Sequence, residues 1–223
     1  ENMQCMFKFC HKFNRSLHHW DVSAVICMNS MFEACHKFNK SLNNWKPVNC
    51  IFTKDMFRFC YNYNMSIEDW YVPNLEDMSG MFSYTNYNSP IQKLKIPKAK
   101  LMNEMFSSSS FNQPINDWDL SKVKSLFGFL MRCADFNQPL NKLNLEECQD
   151  LGCFLKDVPN FNQPMFQINM DVVEKVDCMF EGCTKFNQDL SYLNLENIDY
   201  LNKRYMLHDC VQIKKEYYPR NFT

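Results

Sequence analysis

The chain has 223 residues and carries 24 Lys and Arg against 25 Asp and Glu, a formal net charge of −1. This balance excludes the clustered basic excess that a nucleic-acid-binding surface needs. No apolar run approaches the roughly 20 residues of a membrane-spanning helix, so we expect no membrane span.

One sequence pattern recurs every 24 or 25 residues and begins with Met-Phe in its clearest copies. Self-similarity at this period is typical of stacked repeats rather than of separate globular elements. We number the repeats one to eight by their leading residues, which are Met6, Met31, Met56, Met81, Met105, Phe129, Phe154 and Met179. A stack of repeats presents a long surface, which favours holding a partner over transforming a substrate.

The second half of each repeat follows the pattern L-x-x-L-x-L-x-x-C, which Leu140, Leu143, Leu145 and Cys148 spell out. This is the strand segment of a leucine-rich repeat, and its step of two residues predicts a short strand with inward side chains. The other apolar residues lie three or four positions apart, which predicts short helical pieces on the return. The predicted fold class is a repeat solenoid, leucine-rich-repeat-like, with short parallel strands on one face and short helical or irregular return segments on the other.

A Phe-Asn or Tyr-Asn pair is present in all eight repeats. The rings predict a buried aromatic spine, and the Asn side chains predict a ladder that satisfies backbone polar groups. Because the chain has only 4 Gly, we also expect Asn to supply the unusual turn conformations. The predicted structural ladder consists of Asn14, Asn39, Asn64, Asn88, Asn112, Asn137, Asn162 and Asn187.

The chain also contains 12 cysteines. Most share repeat positions that other copies fill with Thr, Ser, Val or Leu, which predicts small buried side chains; disulfides or a bound metal are the alternatives. An exported chain would risk mispairing so many thiols, so a reducing compartment is favoured. We predict no catalytic, cofactor-binding or metal-ligating residue and no enzyme. A minor alternative is a metal- or thiol-redox protein that uses Cys and His of the first coils.

The runs at 111–121 and 136–141, Phe-Asn-Gln-Pro-Ile-Asn-Asp-Trp-Asp-Leu-Ser and Phe-Asn-Gln-Pro-Leu-Asn, resemble the BspA-like leucine-rich-repeat family. The resemblance extends from about residue 3 to residue 202. It implies a solenoid with a non-catalytic role in surface attachment, recognition or assembly. The chain departs from the bacterial members by placing Cys where they usually have Ala. This departure favours a reducing intracellular environment or a virus particle over a bacterial cell surface.

Two segments are predicted: a solenoid of about eight repeats over 1–202, with an incomplete first coil, and a C-terminal cap over 203–223. The repeat motif is lost after Leu201, where Arg204-Tyr205 replaces Met-Phe. Without a preceding coil, the first coil would expose an apolar edge, so we expect either that an N-terminal portion is missing from the sequence or that this end contacts another protein.

The outward positions beside the predicted strand differ between repeats and form the predicted partner-binding face. Exposed aromatic residues often supply interface energy, which favours Phe166 and the tyrosines as anchors. The predicted function is a structural or protein–protein interaction scaffold, such as a giant-virus particle component; a surface recognition or adhesion protein is the alternative. The candidate face consists of Asp21, Lys46, Tyr71, Lys95, Asp119, His19, Asp69, Phe166 and Tyr192.

Overall fold

The computed structural model describes residues 1–222. Each repeat makes one flat coil that lies parallel to the next. Around the start of coil two, the backbone N–H groups of Met28 and Phe32 donate to carbonyl oxygens of Phe52 and Met56, at 2.8 and 2.9 Å. Because the same bonds recur at this offset in every coil, the chain has a repeat fold held by coil-to-coil contacts.

Tight turns build each coil. In coil two, the N–H groups of Met31 and Cys35 donate to the carbonyls three residues earlier, at 3.1 and 2.9 Å. The third residue of each of these turns, Ser30 or Ala34, has a positive φ of 54° or 59°. A residue with positive φ ends a right-handed helix, so the apolar residues at spacings of three and four face inward from successive turns.

The predicted helical return pieces are therefore wrong for coils one to seven, whose return segments have the irregular form that the predicted fold class also allowed. The helices of the described residues are a four-residue α-helix, Tyr200–Lys203, and a 3-10 helix, Lys215–Tyr217. The expectation that Asn supplies the unusual turns is also wrong, because no ladder Asn has a positive φ among residues 1–222. These conformations occur instead at two recurring positions, filled for example by Asp55 and Phe59 in coil three.

The predicted strands occur only as isolated parallel bridges, such as Tyr71 with Lys95 and Asp119 with Asn144. A longer column of bridges lies on another side of the stack, where the sequence pattern predicted no strand. Frequent turns leave straight segments too short for continuous strands. This column joins Asn2, Cys27, Phe52, Asp77, Leu101, Ser125, Asp150 and Lys175.

One apolar core runs through all the coils. Phe32, Phe38, Leu42 and Trp45 are each at most 1% exposed, and their counterparts in coils three to six and in coil eight are also buried. In coil one, the counterparts Phe7, Phe13 and Trp20 are only half-buried. Neighbouring rings of the Phe-Asn positions stack with centroids 5.6–6.4 Å apart. The buried Trp45 indole donates to the Leu17 carbonyl oxygen at 3.1 Å, so its polar N–H is satisfied inside the core.

The Asn side chains form a continuous ladder along one edge of the stack. Each side-chain Oδ1 accepts a hydrogen bond from the backbone N–H of the next Asn, as between Asn112 and Asn137 at 3.0 Å. The same bond joins every neighbouring pair, at 2.8–3.1 Å. These bonds fix the vertical register of the coils.

Residues 203–222, from the segment predicted as a C-terminal cap, stack on coil eight in the same register. Phe180 N–H donates to the Met206 carbonyl at 2.9 Å, and Lys214 N–H donates to Asn187 Oδ1 at 3.2 Å. The ladder thus continues one step beyond the last Phe-Asn pair. The final residue of the predicted cap, Thr223, lies outside the described residues.

Candidate interaction surface

A row of outward side chains follows one side of the stack, and we call it the variable row. In each coil it is the residue between two inward ones, as Tyr71 stands between Trp70 and Val72. Parallel strands lie about 4.8 Å apart, so neighbouring side chains of the row are close together. The variable row consists of the exposed residues Asp21, Lys46, Tyr71, Lys95, Asp119, Asn144, Asn169 and Asn194.

Two carboxylates of the variable row also stabilise turns. Asp21 Oδ1 accepts from the Ser23 N–H at 2.9 Å, and Asp119 Oδ1 accepts from the Ser121 N–H at 3.1 Å. Hydrogen bonds from these serines lower the pKa of both carboxyl groups. The two side chains are therefore ionised at neutral pH and are held in fixed directions on the surface.

The other predicted face residues lie beside the row. His19 and Asp69 are exposed, and Asp69 N–H donates to Asn43 Oδ1 in the preceding coil at 3.2 Å. Tyr71 is 62% exposed, the largest fraction among the aromatic residues of this face. Tyr192 is 42% exposed, and its hydroxyl donates to the Phe166 carbonyl oxygen at 3.3 Å.

Phe166 does not belong to this surface. It is 1% exposed and packs edge-on against Phe154, with ring centroids 5.9 Å apart. The prediction of an exposed anchor at Phe166 is therefore wrong. Coil seven has two adjacent apolar residues here, Met165 and Phe166, and the larger ring occupies the inward position while Met165 is only half-buried. Burying the ring removes more apolar surface from water.

The variable row borders an open groove of about 470 Å³ between coils five and six. Lys142 and Asp117 form an ion pair across it, at 3.6 Å. Both side chains are mostly exposed, so the pair contributes little to stability and is available to a partner. The groove is lined by Asn116, Asp117, Trp118, Asp119, Ser121, Lys142, Asn144 and Glu146.

A second surface was missed by the sequence reasoning. On another side of coils one to four, the His11 ring stacks on His36 at 4.4 Å, and His36 lies 4.9 Å from Tyr61. Next to them, Phe59 stacks on Tyr84 at 4.8 Å. These residues share two repeat positions, so their aromatic character in successive copies was the signal that could have identified the surface.

The Cys and His residues of the first coils do not converge. His11 Nδ1 lies 2.8 Å from the Ala34 carbonyl, and the Cys35 thiol donates to the Phe7 carbonyl at 3.0 Å. Burial raises the pKa of Cys35 to about 12. Within residues 1–222, coils one and two bring no three ligating side chains together. No helix in this described part is long and apolar enough to cross a membrane.

The geometry defines a repeat protein whose coils are held by their neighbours. The family model described as "Mycoplasma protein of unknown function, DUF285" matches residues 1–87, 63–166 and 102–219. The chain belongs to this family. A comparison with curated proteins gave no match. Among solved structures, the chain is similar to one in the crystal structure of a TLR13–ssRNA13 complex, with a TM-score of 0.25 and 10% identity. That alignment covers 85% of this chain, which spans 31% of the length of the other.

Proposed function

We propose that this chain is a non-catalytic protein-interaction scaffold, built as a BspA-like leucine-rich-repeat solenoid. The observation that carries the proposal is the difference between the inward and the outward positions of each coil. The inward positions repeat similar apolar residues in one continuous core, while the variable row changes chemistry between neighbouring coils from coil one to coil five and is Asn in coils six to eight. Uniform inward positions supply stability, and varied outward positions supply recognition.

The proposed partner is a protein that binds along the variable row. From Asp21 to Asp119 the row crosses four coil intervals, or roughly 19 Å at the spacing of parallel strands. In this part it contains acidic, basic and aromatic side chains, and Tyr71, its one aromatic residue, is 62% exposed. This mixed pattern fits a complementary protein surface better than a polyanion, which would require a row of a single charge.

The core thiols support a role without nucleophilic chemistry. Cys35, Cys50, Cys133 and Cys148 are buried, and burial raises the pKa of each to about 12. A thiol acts as a nucleophile as its thiolate, which is scarce at neutral pH when the pKa is this high. These residues serve as small core side chains.

We further propose that the chain works inside a larger assembly in a reducing environment, such as a virus particle. Seven of the 12 cysteines are buried side chains of the core, and an exported chain would risk mispairing so many thiols. A surface recognition protein would instead work where thiols are oxidised. Retention of 12 reduced thiols in the native assembly supports the proposal, and disulfides in the native protein would contradict it.

The test is chemical crosslinking of the chain in its source cells, followed by mapping of crosslinks and binding assays with two variants. Tyr71→Ala removes an aromatic side chain of the variable row. Tyr61→Ala is the matched control, because it removes an exposed ring from another side of the same coil. We expect the captured partner to bind the Tyr71→Ala variant at least about tenfold more weakly, as for an interface anchor. Equal binding by both variants, or crosslinks that avoid the variable row, would refute the proposal.

A further inference from the structure

Two cysteines lie at equivalent positions of successive coils, directly before the leading residues Phe154 and Met179. Cys153 and Cys178 are both of intermediate exposure. Their positions differ from those of the core thiols, such as Cys183, whose S–H donates to the Leu155 carbonyl at 3.0 Å. Within residues 1–222, neither Cys153 nor Cys178 donates such a bond to a backbone carbonyl, so neither thiol is committed to the backbone of the neighbouring coil.

The backbone fixes both cysteines. Cys153 N–H donates to the Asp177 carbonyl at 2.8 Å, and Cys178 N–H donates to the Arg204 carbonyl at 3.0 Å. Both residues adopt the left-handed conformation, with φ of 54° and 53°. Because the two positions share the same conformation in adjacent coils, their side chains leave the backbone side by side.

A carboxylate completes the group. Asp177, Cys153 and Cys178 each offer a ligand atom, and these three atoms lie within 4.8 Å of one another. Gly152 leaves room for the carboxylate, since a Cβ added there would lie 3.0 Å from Asp177 Oδ1. A fourth group stands nearby: in addition to burial, Glu181 helps to raise the pKa of the Cys178 thiol, and it pairs with Lys156 at 2.7 Å.

We propose that Cys153, Cys178 and Asp177 form a binding site for a thiophilic divalent cation of the Zn²⁺ class. Two thiolates and one carboxylate match the ligands of Zn²⁺, whereas Mg²⁺ and Ca²⁺ take oxygen ligands. Tetrahedral Zn–S bonds of about 2.3 Å place two sulfurs roughly 3.8 Å apart, so side-chain rotation within the observed group suffices. Glu181 or water supplies the fourth ligand.

The site would join adjacent coils. The ligands come from two neighbouring coils, so the bound ion links them through the side chains in addition to the backbone bonds. Binding to the native chain alone stabilises it by mass action. This role is independent of the partner surface, because the variable row is formed by other positions of each coil.

The test is titration of the reduced full chain with Co²⁺, whose thiolate charge-transfer absorption reports sulfur ligands. We expect one Co²⁺ per chain with two-thiolate absorption, displaced by Zn²⁺, and a higher unfolding temperature in Zn²⁺. Cys153→Ser and Cys178→Ser should each weaken Co²⁺ affinity about 100-fold or more, and Asp177→Asn should weaken it about tenfold. Cys27→Ser, another half-buried thiol outside the group, is the matched control and should bind Co²⁺ like the parent chain.

Far-UV circular dichroism and metal-free unfolding curves identify any variant that fails to fold. If a Cys variant does not fold, Asp177→Asn still tests the site, because it leaves both thiols in place. The proposal is overturned if Co²⁺ absorption is absent in the parent chain, or if it persists unchanged in folded Cys178→Ser. It is also overturned if dissolved oxygen, as the two-electron oxidant, converts Cys153 and Cys178 to a disulfide as readily in the presence of Zn²⁺ as in its absence, because a bound ion would protect both thiolates.

Discussion

Tyr63 offers the sharpest stability test, because it places a hydroxyl group in a column that is otherwise mostly Phe. The residue is 0% exposed, and its ring lies 4.0 Å from that of Phe57. Within residues 1–222, its hydroxyl oxygen has no hydrogen-bond partner. Burial raises the pKa of Tyr63 well above its ordinary value, as expected for a phenol surrounded by apolar groups.

Tyr63→Phe should therefore stabilise the chain. A buried polar group without a partner costs about 1–3 kcal/mol, and the substitution removes that cost while keeping the ring stacking. We expect the free energy of unfolding to rise by about 1–2 kcal/mol, which corresponds to roughly 2–8 °C in Tm for a chain of this size. Urea unfolding followed by the fluorescence of the buried Trp45 measures the change.

Phe136→Tyr is the reciprocal control, because it adds a hydroxyl to the same column at a residue that is 0% exposed. It should lower the free energy of unfolding by a similar amount. If Tyr63→Phe instead lowers the unfolding midpoint, the hydroxyl makes a hydrogen bond in solution and the reasoning fails.

Three further predictions concern the ladder, the left-handed positions and the thiols. Asn112→Ala removes the acceptor of two hydrogen bonds from the next coil and should lower the free energy of unfolding by about 1–2 kcal/mol. Asn112→Asp keeps the acceptor and should lower it by less than half as much. Urea unfolding measures both. Gly80→Ala should cost more than Gly128→Ala in thermal unfolding. Both glycines have φ near +60°, but an added Cβ at Gly80 would overlap the Asp55 carboxylate. The pKa of Cys133 is raised from 9.0 to about 12, so its native thiol keeps a proton that the unfolded chain loses above pH 9. Stability should be full below pH 9 and fall as pH rises towards 12, by about 1 kcal/mol for this thiol at pH 10, measured as the urea midpoint.

Each of these has a defined contrary result. Equal losses for the Ala and Asp variants would show that the ladder oxygen is not what matters at this position. Equal costs at the two glycines would show that the Asp55 carboxylate moves aside freely. An urea midpoint that stays constant between pH 8 and pH 10 would show that the core thiols are already accessible to solvent.

The periodic features of the chain could be predicted from the sequence, because the same type of residue occupies the same position in almost every coil. Phe38 is buried and Asn39 bonds to its neighbours, and both facts follow from positions that are filled in the same way throughout. Similar residues at the same position of successive repeats stack on one another, because each coil packs between neighbours that are almost the same.

The return segment could not be predicted in the same way. Met28, Met31, Phe32 and Cys35 have helical spacing, yet consecutive four-residue turns place apolar residues inward at the same intervals. The signal that separates the two structures is a left-handed residue such as Ala34, and its side chain gives no hint of that conformation. Here the stacking of coils determines the backbone conformation and overrides the local helix propensity.

Some features of the surface could not be predicted, because they occur where one coil differs from the repeat pattern. Phe166 turned inward because coil seven has two candidates for one core position, and the larger ring is buried there. The group of Cys153, Cys178 and Asp177 arises from adjacent coils, and Cys residues at most other positions are core side chains. The repeat position directly before the leading residue separates these two thiols from the core thiols, but nothing in the sequence indicates that the Asp177 carboxylate lies beside them.

The Asn ladder makes every junction in the stack alike. Each rung spans one repeat and uses the same two groups, whether the coil has 24 or 25 residues. Recombination that deleted or duplicated a whole repeat would therefore bring matching rungs together and leave the remaining junctions intact. The number of repeats can therefore change in evolution while the core packing stays the same. An insertion or deletion within a repeat would instead disturb the alignment of its core residues with those of its neighbours.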